Sequence, residues 1–283
     1  MTEQHHDDEL HDHDRGLAFD LETMMARRHV LKLFAGVGLA GLLAACGDSG
    51  SGTTSTAAAG STAAGSTAAG TTAAAASTTP IPEETAGPFP GDGSNGVNVL
   101  TQSGIVRNDI RSSFGSSTTA AAGVPLDIAF TVTDAATGKP LSGAAVYVWH
   151  CDQVGNYSLY SSGVEDENFL RGVQTVGDDG TVTFTSIFPG AYAGRWPHIH
   201  FEVYPSLADA TAAGTPSATS QIALPEDACK AAYATTGYEQ SVTNLAQTSL
   251  ATDMVFADGW DQELGAITGS VADGMQVSLN VPV

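Results

Sequence analysis

The second half of the chain contains the sequence His198-Ile199-His200-Phe201-Glu202-Val203-Tyr204. Polar and apolar side chains alternate along it, which is the pattern of a β-strand because successive side chains point to opposite faces. Ile199, Phe201 and Val203 therefore share one face, and the two histidines share the other. The stretch predicts a strand with one apolar face against a core and a second face that carries titratable groups.

Other runs of the chain alternate in the same way, and turn signals rich in glycine, proline and aspartate separate them. These runs are Leu126–Val132, Ala144–Trp149, Thr181–Phe184 and Met275–Val281. Short strands joined by regular turns are typical of a β-sandwich. We therefore predict an all-β fold, a sandwich of mostly antiparallel strands, with a core from about Pro125 to Val283. Residues 81–124 are expected to wrap around it, and the only helical pattern is Asp227–Ala234.

The N-terminal part has the composition of an export signal followed by a tether. Arg27-Arg28 precedes a short apolar run and resembles the twin-arginine type of signal. Leu43-Ala44-Ala45-Cys46 resembles a lipobox, which predicts lipidation of Cys46. Residues 1–46 are thus interpreted as a lipoprotein signal with a polar extension. An uncleaved membrane helix is the alternative, although the apolar run is short for a span.

Residues 47–80 consist almost entirely of glycine, serine, threonine and alanine, which predicts a disordered tether because such a segment cannot bury a core. Residues 81–283 are left as the folded domain. We expect an exported protein that contacts the membrane only through its lipid anchor. Translation starting at Met1, Met24 or Met25 is compatible with this organisation, and the sequence leaves the oligomeric state open.

The charge of the chain excludes two classes of partner. Ten lysines and arginines stand against 31 aspartates and glutamates, a formal net charge of -21. Nucleic-acid binding needs clustered cationic side chains, and so does peripheral binding to anionic lipid. We therefore expect no nucleic acid among its partners.

Two histidines at positions i and i+2 of one strand can hold a metal ion together. His198 and His200 have this spacing. An isolated pair is weak evidence for a particular metal site, because zinc and cupin sites share the same spacing. Tyr157 and Tyr192 stand in nearby motifs and suggest phenolate ligands. A phenol has a pKa near 10, so a strongly acidic, trivalent ion suits it best. Glu202 shares the face of the histidines, which keeps a carboxylate-containing site open.

Several motifs, taken in order, resemble those of the intradiol ring-cleavage dioxygenases, the family of the catechol and protocatechuate 3,4-dioxygenases. The resemblance covers essentially all of residues 81–283 and is closest to the exported, single-chain branch of the family. The matching pieces are Thr85–Phe89, Arg107–Ile110, Pro140–Ala144, Trp149-His150, Gly155–Ser158, Phe169–Gly172, Pro189–Tyr192, Arg195–Phe201 and Gln221.

The resemblance implies one non-haem Fe(III) per chain, bound by Tyr157, Tyr192, His198 and His200. It also implies catalytic roles for Arg195, Gln221 and Tyr192. A catechol dianion would replace the Tyr192 phenolate and a hydroxide without changing the net charge of the site, and these two bases would take the substrate protons. The expected reaction opens a catechol ring with dioxygen between the two hydroxyl-bearing carbons and gives a muconate-type diacid.

Two other functions are compatible with parts of the pattern. Pro140–Ala144 and Gly180–Phe184 also occur in prealbumin-like surface modules, which serve as stalks or binding domains without catalysis. Such modules need neither the His-x-His pair nor a tyrosine at position 157. A zinc or cupin-like hydrolase or oxygenase is the third hypothesis.

The remaining notable residues carry mainly structural predictions. Cys151 and Cys229 are left as an even pair in an exported domain, which predicts a disulfide between them. Two buried free thiols, or metal ligation by Cys151, are the alternatives. His150 and Arg171 are interpreted as structural residues, Arg171 as a loop brace or ion-pair partner. Tyr160 and Trp196 are candidates for the border of the pocket.

Overall fold

The structure is a computed structural model that describes residues 79–283. The predicted signal with Cys46, and the tether up to residue 78, lie outside the described residues. Residues 79–283 form eight strands arranged in two four-stranded sheets. The strands are β1 (Pro125–Thr133), β2 (Ala145–Trp149), β3 (Arg171–Thr175), β4 (Thr181–Ile187), β5 (His198–Tyr204), β6 (Ala218–Ala223), β7 (Ala266–Ser270) and β8 (Gly274–Pro282).

The two sheets have the strand orders β4-β1-β8-β7 and β3-β2-β5-β6. Each neighbouring pair is antiparallel except β1 and β8, which are parallel. The predicted β-sandwich of mostly antiparallel strands is confirmed, and each of the five predicted strands is present. Three strands, β3, β6 and β7, were not predicted, because their sequences lack alternation: β6, for example, reads Ala-Thr-Ser-Gln-Ile-Ala and is buried throughout.

Helices are short and lie between the later strands: α1 (Leu207–Thr211), α2 (Glu226–Tyr233) and α3 (Glu239–Leu245), with a 3₁₀ turn at Phe256–Asp258. The helical pattern at Asp227–Ala234 is confirmed as α2, whereas α1 and α3 were not predicted. Within residues 79–283, no helix is both long enough and apolar enough to cross a bilayer.

The main core fills the space between the two sheets. Its aliphatic and aromatic side chains come from alternate positions of each strand, as a sandwich requires. Phe130 of β1 and Phe201 of β5 meet across this space with ring centroids 5.0 Å apart. Ile199 and Val203, on the same side of β5 as Phe201, are fully or almost fully buried in the same cluster.

A second core covers the outer face of the sheet β3-β2-β5-β6. Tyr147 and Trp149 of β2 point into it and are covered by Val99, Leu100 and Ile105 of the N-terminal segment. Backbone hydrogen bonds attach this segment to β3, β4 and β6. Residues 81–124 therefore wrap around the sandwich as predicted, and every residue of β5 is buried although the sandwich has only two sheets.

Candidate metal centre and active site

The two histidines of β5 point to the outer face of the sheet, away from the main core. His200 lies opposite Trp149 of β2 and Gln221 of β6, and His198 lies opposite Ala223. Because side chains alternate along the strand, the two imidazoles stand side by side, with ring centroids 4.7 Å apart. The strand thus supplies half of the predicted ligand set on a rigid element.

Tyr157 reaches the same place from a tight loop after β2. The carboxylate of Asp152 accepts the backbone N–H groups of Val154 and Asn156 at 2.9 and 2.8 Å. This turn includes Gly155, whose φ of 95° suits glycine because it lies in the left-handed region. The loop therefore doubles back immediately and delivers the Tyr157 ring beneath the N-terminal segment, where the side chain is 2% exposed.

Tyr192 comes from the loop after β4, and α3 anchors the residue before it. The Ala191 N–H donates to the Ser241 hydroxyl at 2.9 Å, and the Asn244 amide donates to the Ala191 carbonyl at 2.7 Å. Both polar side chains of α3 are buried. The backbone of Tyr192 is thereby fixed while its side chain, which is half-buried, lies at the edge of the site.

The four predicted ligands converge on one point. The Nε2 atom of His198 lies 3.1 Å from Nε2 of His200, 3.2 Å from the Tyr192 hydroxyl and 3.5 Å from the Tyr157 hydroxyl. Two imidazole nitrogens and two phenolic oxygens thus surround a single small space. Among residues 79–283, no group of three or more histidine, cysteine, aspartate or glutamate side chains is arranged to hold a metal ion, so this mixed quartet is the candidate site.

The protonation states of the quartet suit metal binding. Burial lowers the pKa of both histidines well below the usual value, and for His198 the neighbouring Arg195 lowers it further. The Nδ1 atom of His198 lies 2.5 Å from the Trp196 carbonyl, which assigns the proton to Nδ1 and leaves the Nε2 lone pair facing the phenols. His200 is held by stacking on Trp149, with centroids 4.8 Å apart and the planes at 6°. Both rings are neutral and oriented.

The phenols need a strong positive charge before they ionise. Burial raises the pKa of Tyr157 well above 10, and Tyr192 raises it further, because two phenolates side by side repel each other. Two neutral imidazoles and two phenols that only a strongly acidic cation would deprotonate are a donor set that fits a trivalent ion such as Fe(III). Zinc, which favours sulfur and nitrogen ligands, fits this set less well.

Arg195 and Gln221 form a polar network beside the quartet, as the resemblance implies. An Nη2 group of Arg195 donates to the Gln221 side-chain oxygen at 2.7 Å, and the Gln221 amide donates to the Thr85 carbonyl at 2.9 Å. Burial lowers the pKa of Arg195, but Tyr192 and Asp253 more than offset that effect, so the guanidinium keeps its charge. Asp253, which sequence reasoning missed, accepts Arg195 Nε at 3.0 Å.

The structural interpretations of His150 and Arg171 agree with their contacts. His150 is buried, and both of its ring nitrogens contact groups outside the quartet: Nε2 lies 2.7 Å from the Ser186 hydroxyl and Nδ1 lies 2.8 Å from the Cys151 carbonyl. Arg171 is a loop brace that forms no ion pair with any of residues 79–283: its guanidinium donates to the carbonyls of Phe89, Pro90 and Ser158 and to two hydroxyl groups. It thereby fastens the N-terminal segment to the Tyr157 loop.

The other candidates lie around the quartet without joining it. The Tyr160 hydroxyl accepts the Gly91 N–H and donates to Asn95. This residue therefore helps to hold the N-terminal segment, residues 81–124, which is called the covering segment below. Trp196 is buried, and its indole N–H donates to the Leu224 carbonyl. Glu202 accepts a hydrogen bond from Tyr204 at 2.6 Å, farther along β5 from the phenols.

The predicted disulfide between Cys151 and Cys229 is wrong in this structure, where both residues are buried free thiols. Their sulfurs face different backbone carbonyls: Cys151 faces Gly190 at 3.4 Å, and Cys229 faces Leu224 at 3.8 Å. A disulfide needs the two sulfurs about 2.05 Å apart with a defined dihedral angle. Burial raises the pKa of Tyr233, and the thiols of Cys229 and Cys151 raise it further. The Tyr233 phenol therefore lies near both thiols.

Comparisons with known proteins agree with this fold. A family model described as Dioxygenase matches residues 111–208, a range that contains the whole quartet and Arg195. The chain is 41% identical over 56 residues to chlorocatechol 1,2-dioxygenase of Rhodococcus opacus, which is 20% of this chain and 22% of that protein. It is 39% identical over 98 residues to catechol 1,2-dioxygenase 1 of Acinetobacter lwoffii, covering 28% of this chain and 31% of that one.

Among solved structures, an intradiol ring-cleavage dioxygenase from Tetranychus urticae superposes with a TM-score of 0.54 at 27% sequence identity. That superposition covers 64% of this chain and 87% of the mite protein. The chain is therefore similar in sequence and fold to the intradiol ring-cleavage dioxygenases. It spans less than half the length of the curated relatives that it matches, between 20% and 47%.

Proposed function

We propose that this protein is a non-haem Fe(III) dioxygenase that cleaves catechol rings between their two hydroxyl-bearing carbons. The observation that carries the proposal is the convergence of Tyr157, Tyr192, His198 and His200 around one space, with oxygen and nitrogen atoms 3.1–3.5 Å from His198 Nε2. These four residues would hold the iron. When bound, the ferric ion would supply the Lewis acidity that ionises the phenols and activates a chelated catechol toward dioxygen.

The two tyrosines differ in a way that suits different roles. Tyr157 is 2% exposed and lies under the covering segment, whereas Tyr192 is half-buried at the edge. Moving Tyr192 disturbs less packing, so its phenolate oxygen is the better group to leave and to accept a proton from an incoming catechol hydroxyl. Tyr157 would remain in place and keep the site ordered.

Arg195 is suited to donate hydrogen bonds to substrate oxygen atoms as negative charge develops on them. Its guanidinium is 3% exposed, so it is already removed from water before the substrate binds. Asp253 and Gln221 hold it in place, and the reaction needs no further desolvation of this group. Preorganised donors in a dry site are worth far more than the same donors in water. Gln221 would position this guanidinium and would also tie it to the covering segment through Thr85.

A non-enzymatic, prealbumin-like surface module is not favoured. Such a module needs only the sandwich, and packing alone gives no reason to gather four metal-binding side chains at one buried point. The relatives that match are named as dioxygenases of chlorocatechol, catechol and hydroxyquinol, which supports the enzyme rather than a stalk.

Oxygen uptake by the iron-loaded full-length chain against a panel of catechols tests the proposal. We expect turnover to ring-opened diacids, one iron per chain and a visible absorption band from tyrosinate bound to iron. Tyr157→Phe should lose both the band and the turnover, whereas the matched change Tyr204→Phe, at a buried tyrosine bonded to Glu202, should keep both. Full ring cleavage by a colourless, iron-free preparation contradicts the proposal.

We also propose that the protein is exported and anchored by a lipid on Cys46. The support is sequence alone: the Arg27-Arg28 pair, the apolar run and the lipobox-like stretch ending at Cys46. Replacing both arginines by lysine should retain the protein in the cytoplasm, and Cys46→Ala should release it from the membrane fraction. Unchanged membrane recovery of Cys46→Ala counts against lipidation.

A further inference from the structure

The charge of Arg195 is neutralised inside the protein by Asp253. Both side chains are buried, 3% and 0% exposed, and Arg195 Nε lies 3.0 Å from the Asp253 Oδ2 atom. The same carboxylate also accepts backbone N–H groups of Trp196 at 2.6 Å, Val255 at 2.8 Å and Phe256 at 3.2 Å. Four donors thus surround the carboxylate and fix its position, so the cation beside the quartet already has its counter-ion.

The other cationic side chains of residues 79–283 are engaged elsewhere. Arg171 donates to five acceptors in the brace, and Arg107 donates to the carbonyls of Ser112, Asn168 and Arg171.

Three cationic side chains at the surface complete the set. Arg111 and Lys230 pair at 2.7 Å with Asp109 and Glu226. Lys139 lies in the turn before β2, at the end of that strand remote from Trp149 and the quartet. In this part of the chain, then, no uncommitted cation lies at the site to receive an anionic group on a substrate.

The surroundings of the Arg195–Asp253 pair add negative charge. The whole chain carries a formal net charge of -21, so the field of the rest of the protein is negative as well. A carboxylate on the substrate ring would therefore enter a negative field and lose its hydration without gaining a partner. An amide of the same size and shape meets neither penalty.

We propose that Asp253 makes this site select catechols whose ring carries no carboxylate, because it cancels the charge of Arg195. The inference rests on the proposed catechol dioxygenase function and names its substrate class. Asp253 acts through Arg195 and is a positioning and specificity-determining residue. Catechol and its neutral ring-substituted derivatives are the substrates that fit.

A pair of substrates that differ only in charge tests the proposal in the full-length, iron-loaded protein. 3,4-Dihydroxybenzamide and 3,4-dihydroxybenzoate have nearly the same size, and we expect kcat/KM to be at least about tenfold higher for the amide. Equal kcat/KM values, or a preference for the acid, overturn the proposal. If neither these compounds nor catechol itself is cleaved, it is the proposed function that fails.

The variant Asp253→Asn separates the charge from the shape. The amide oxygen can still accept from Arg195, but the guanidinium then keeps its full charge. The amide-to-acid ratio of kcat/KM should therefore fall by about tenfold, a change that loss of folding would not produce. Glu263→Gln, a nearby carboxyl without contact to Arg195, is the matched control and should leave the ratio unchanged. An unaltered ratio in Asp253→Asn overturns the role of Asp253.

A binding measurement without turnover keeps the proposal testable if Asp253→Asn fails to fold. Calorimetric titration of the metal-free wild-type protein with 4-hydroxybenzamide and 4-hydroxybenzoate compares the same two charge states. The benzamide should bind more tightly, and equal or tighter binding of the benzoate contradicts the proposal.

Discussion

The two faces of β5 are equally buried but chemically opposite. Ile199, Phe201 and Val203 point between the sheets, where apolar side chains cover them. His198 and His200 point outward, where the covering segment and the tyrosine loops enclose them. The inner face gains stability from apolar area removed from water, whereas the outer face must satisfy each polar group it buries. Burial in this protein therefore identifies the core on one side of a strand and the site on the other.

The covers of the two faces differ as well. The inner face is covered by the second sheet, in which regular backbone hydrogen bonds join neighbouring strands. The outer face is covered by residues 81–124, which form isolated bridges and single hydrogen bonds and depend on the Arg171 brace. We expect changes on the inner face to alter mainly stability and changes on the outer face to alter mainly activity.

The largest effect should follow from His200→Ala. The change removes one imidazole of the quartet and the ring that stacks on Trp149, so turnover should fall to the level of the background reaction. Oxygen uptake and the visible spectrum measure the loss. Far-ultraviolet circular dichroism should remain that of the wild-type protein, and a collapsed spectrum would show instead that the outer face is also structural.

On the inner face, Phe201→Ala should cost about 3–5 kcal/mol of unfolding free energy, because it leaves a cavity against Phe130. Urea denaturation measures this cost. The protein that remains folded should still bind iron and turn over catechol, since Phe201 points away from the quartet. A loss of turnover without a loss of stability would contradict the proposal that the inner face determines stability and the outer face determines activity.

The brace should show an intermediate effect. Arg171→Lys keeps the charge but cannot span the carbonyls of Phe89, Pro90 and Ser158, so we expect a loss of roughly 2–4 kcal/mol. Limited proteolysis should then cut first within residues 81–124. Lys230→Ala, which removes an exposed ion pair, is the control and should change stability by less than about 1 kcal/mol. Equal effects of the two changes would contradict the brace.

The smallest effect concerns a carboxyl at the edge of the inner face. Glu263 contacts Ser220, which lies opposite Phe201, and burial, followed by the charge of Glu84, raises its pKa to about 8. Between pH 4.5 and 8 the folded state keeps a proton that the unfolded chain has released, so unfolding free energy falls as pH rises.

Glu263→Gln should remove this part of the pH dependence. Relative to the wild-type protein, the variant should gain roughly 1–3 kcal/mol more unfolding free energy at pH 8 than at pH 5. Thermal or urea unfolding at the two pH values measures it, with Asp273→Asn as an exposed control. If Glu263→Gln and the wild-type protein lose stability in parallel, Glu263 titrates normally.

Local sequence patterns predicted much of this molecule. Alternation along His198–Tyr204 predicted both the strand and the shared face of the histidines, because a strand has a side-chain period of two. The ordered motifs predicted that Tyr157 and Tyr192 would accompany them, and the structure brings all four together. Strand β6 escaped prediction because both of its faces are buried with small or polar side chains, which leaves no period to detect.

Contacts between residues far apart in the sequence could not be predicted from local patterns. Asp253 lies 58 residues after Arg195, in a stretch without a regular pattern, and only the path of the chain brings the carboxylate to the guanidinium. Compartment and cysteine count favoured a disulfide, yet the two sulfurs face different carbonyls. Periodicity fixes the direction of a side chain relative to its own strand. Contacts between separate loops depend on the register and packing of the whole sandwich, which no local pattern encodes.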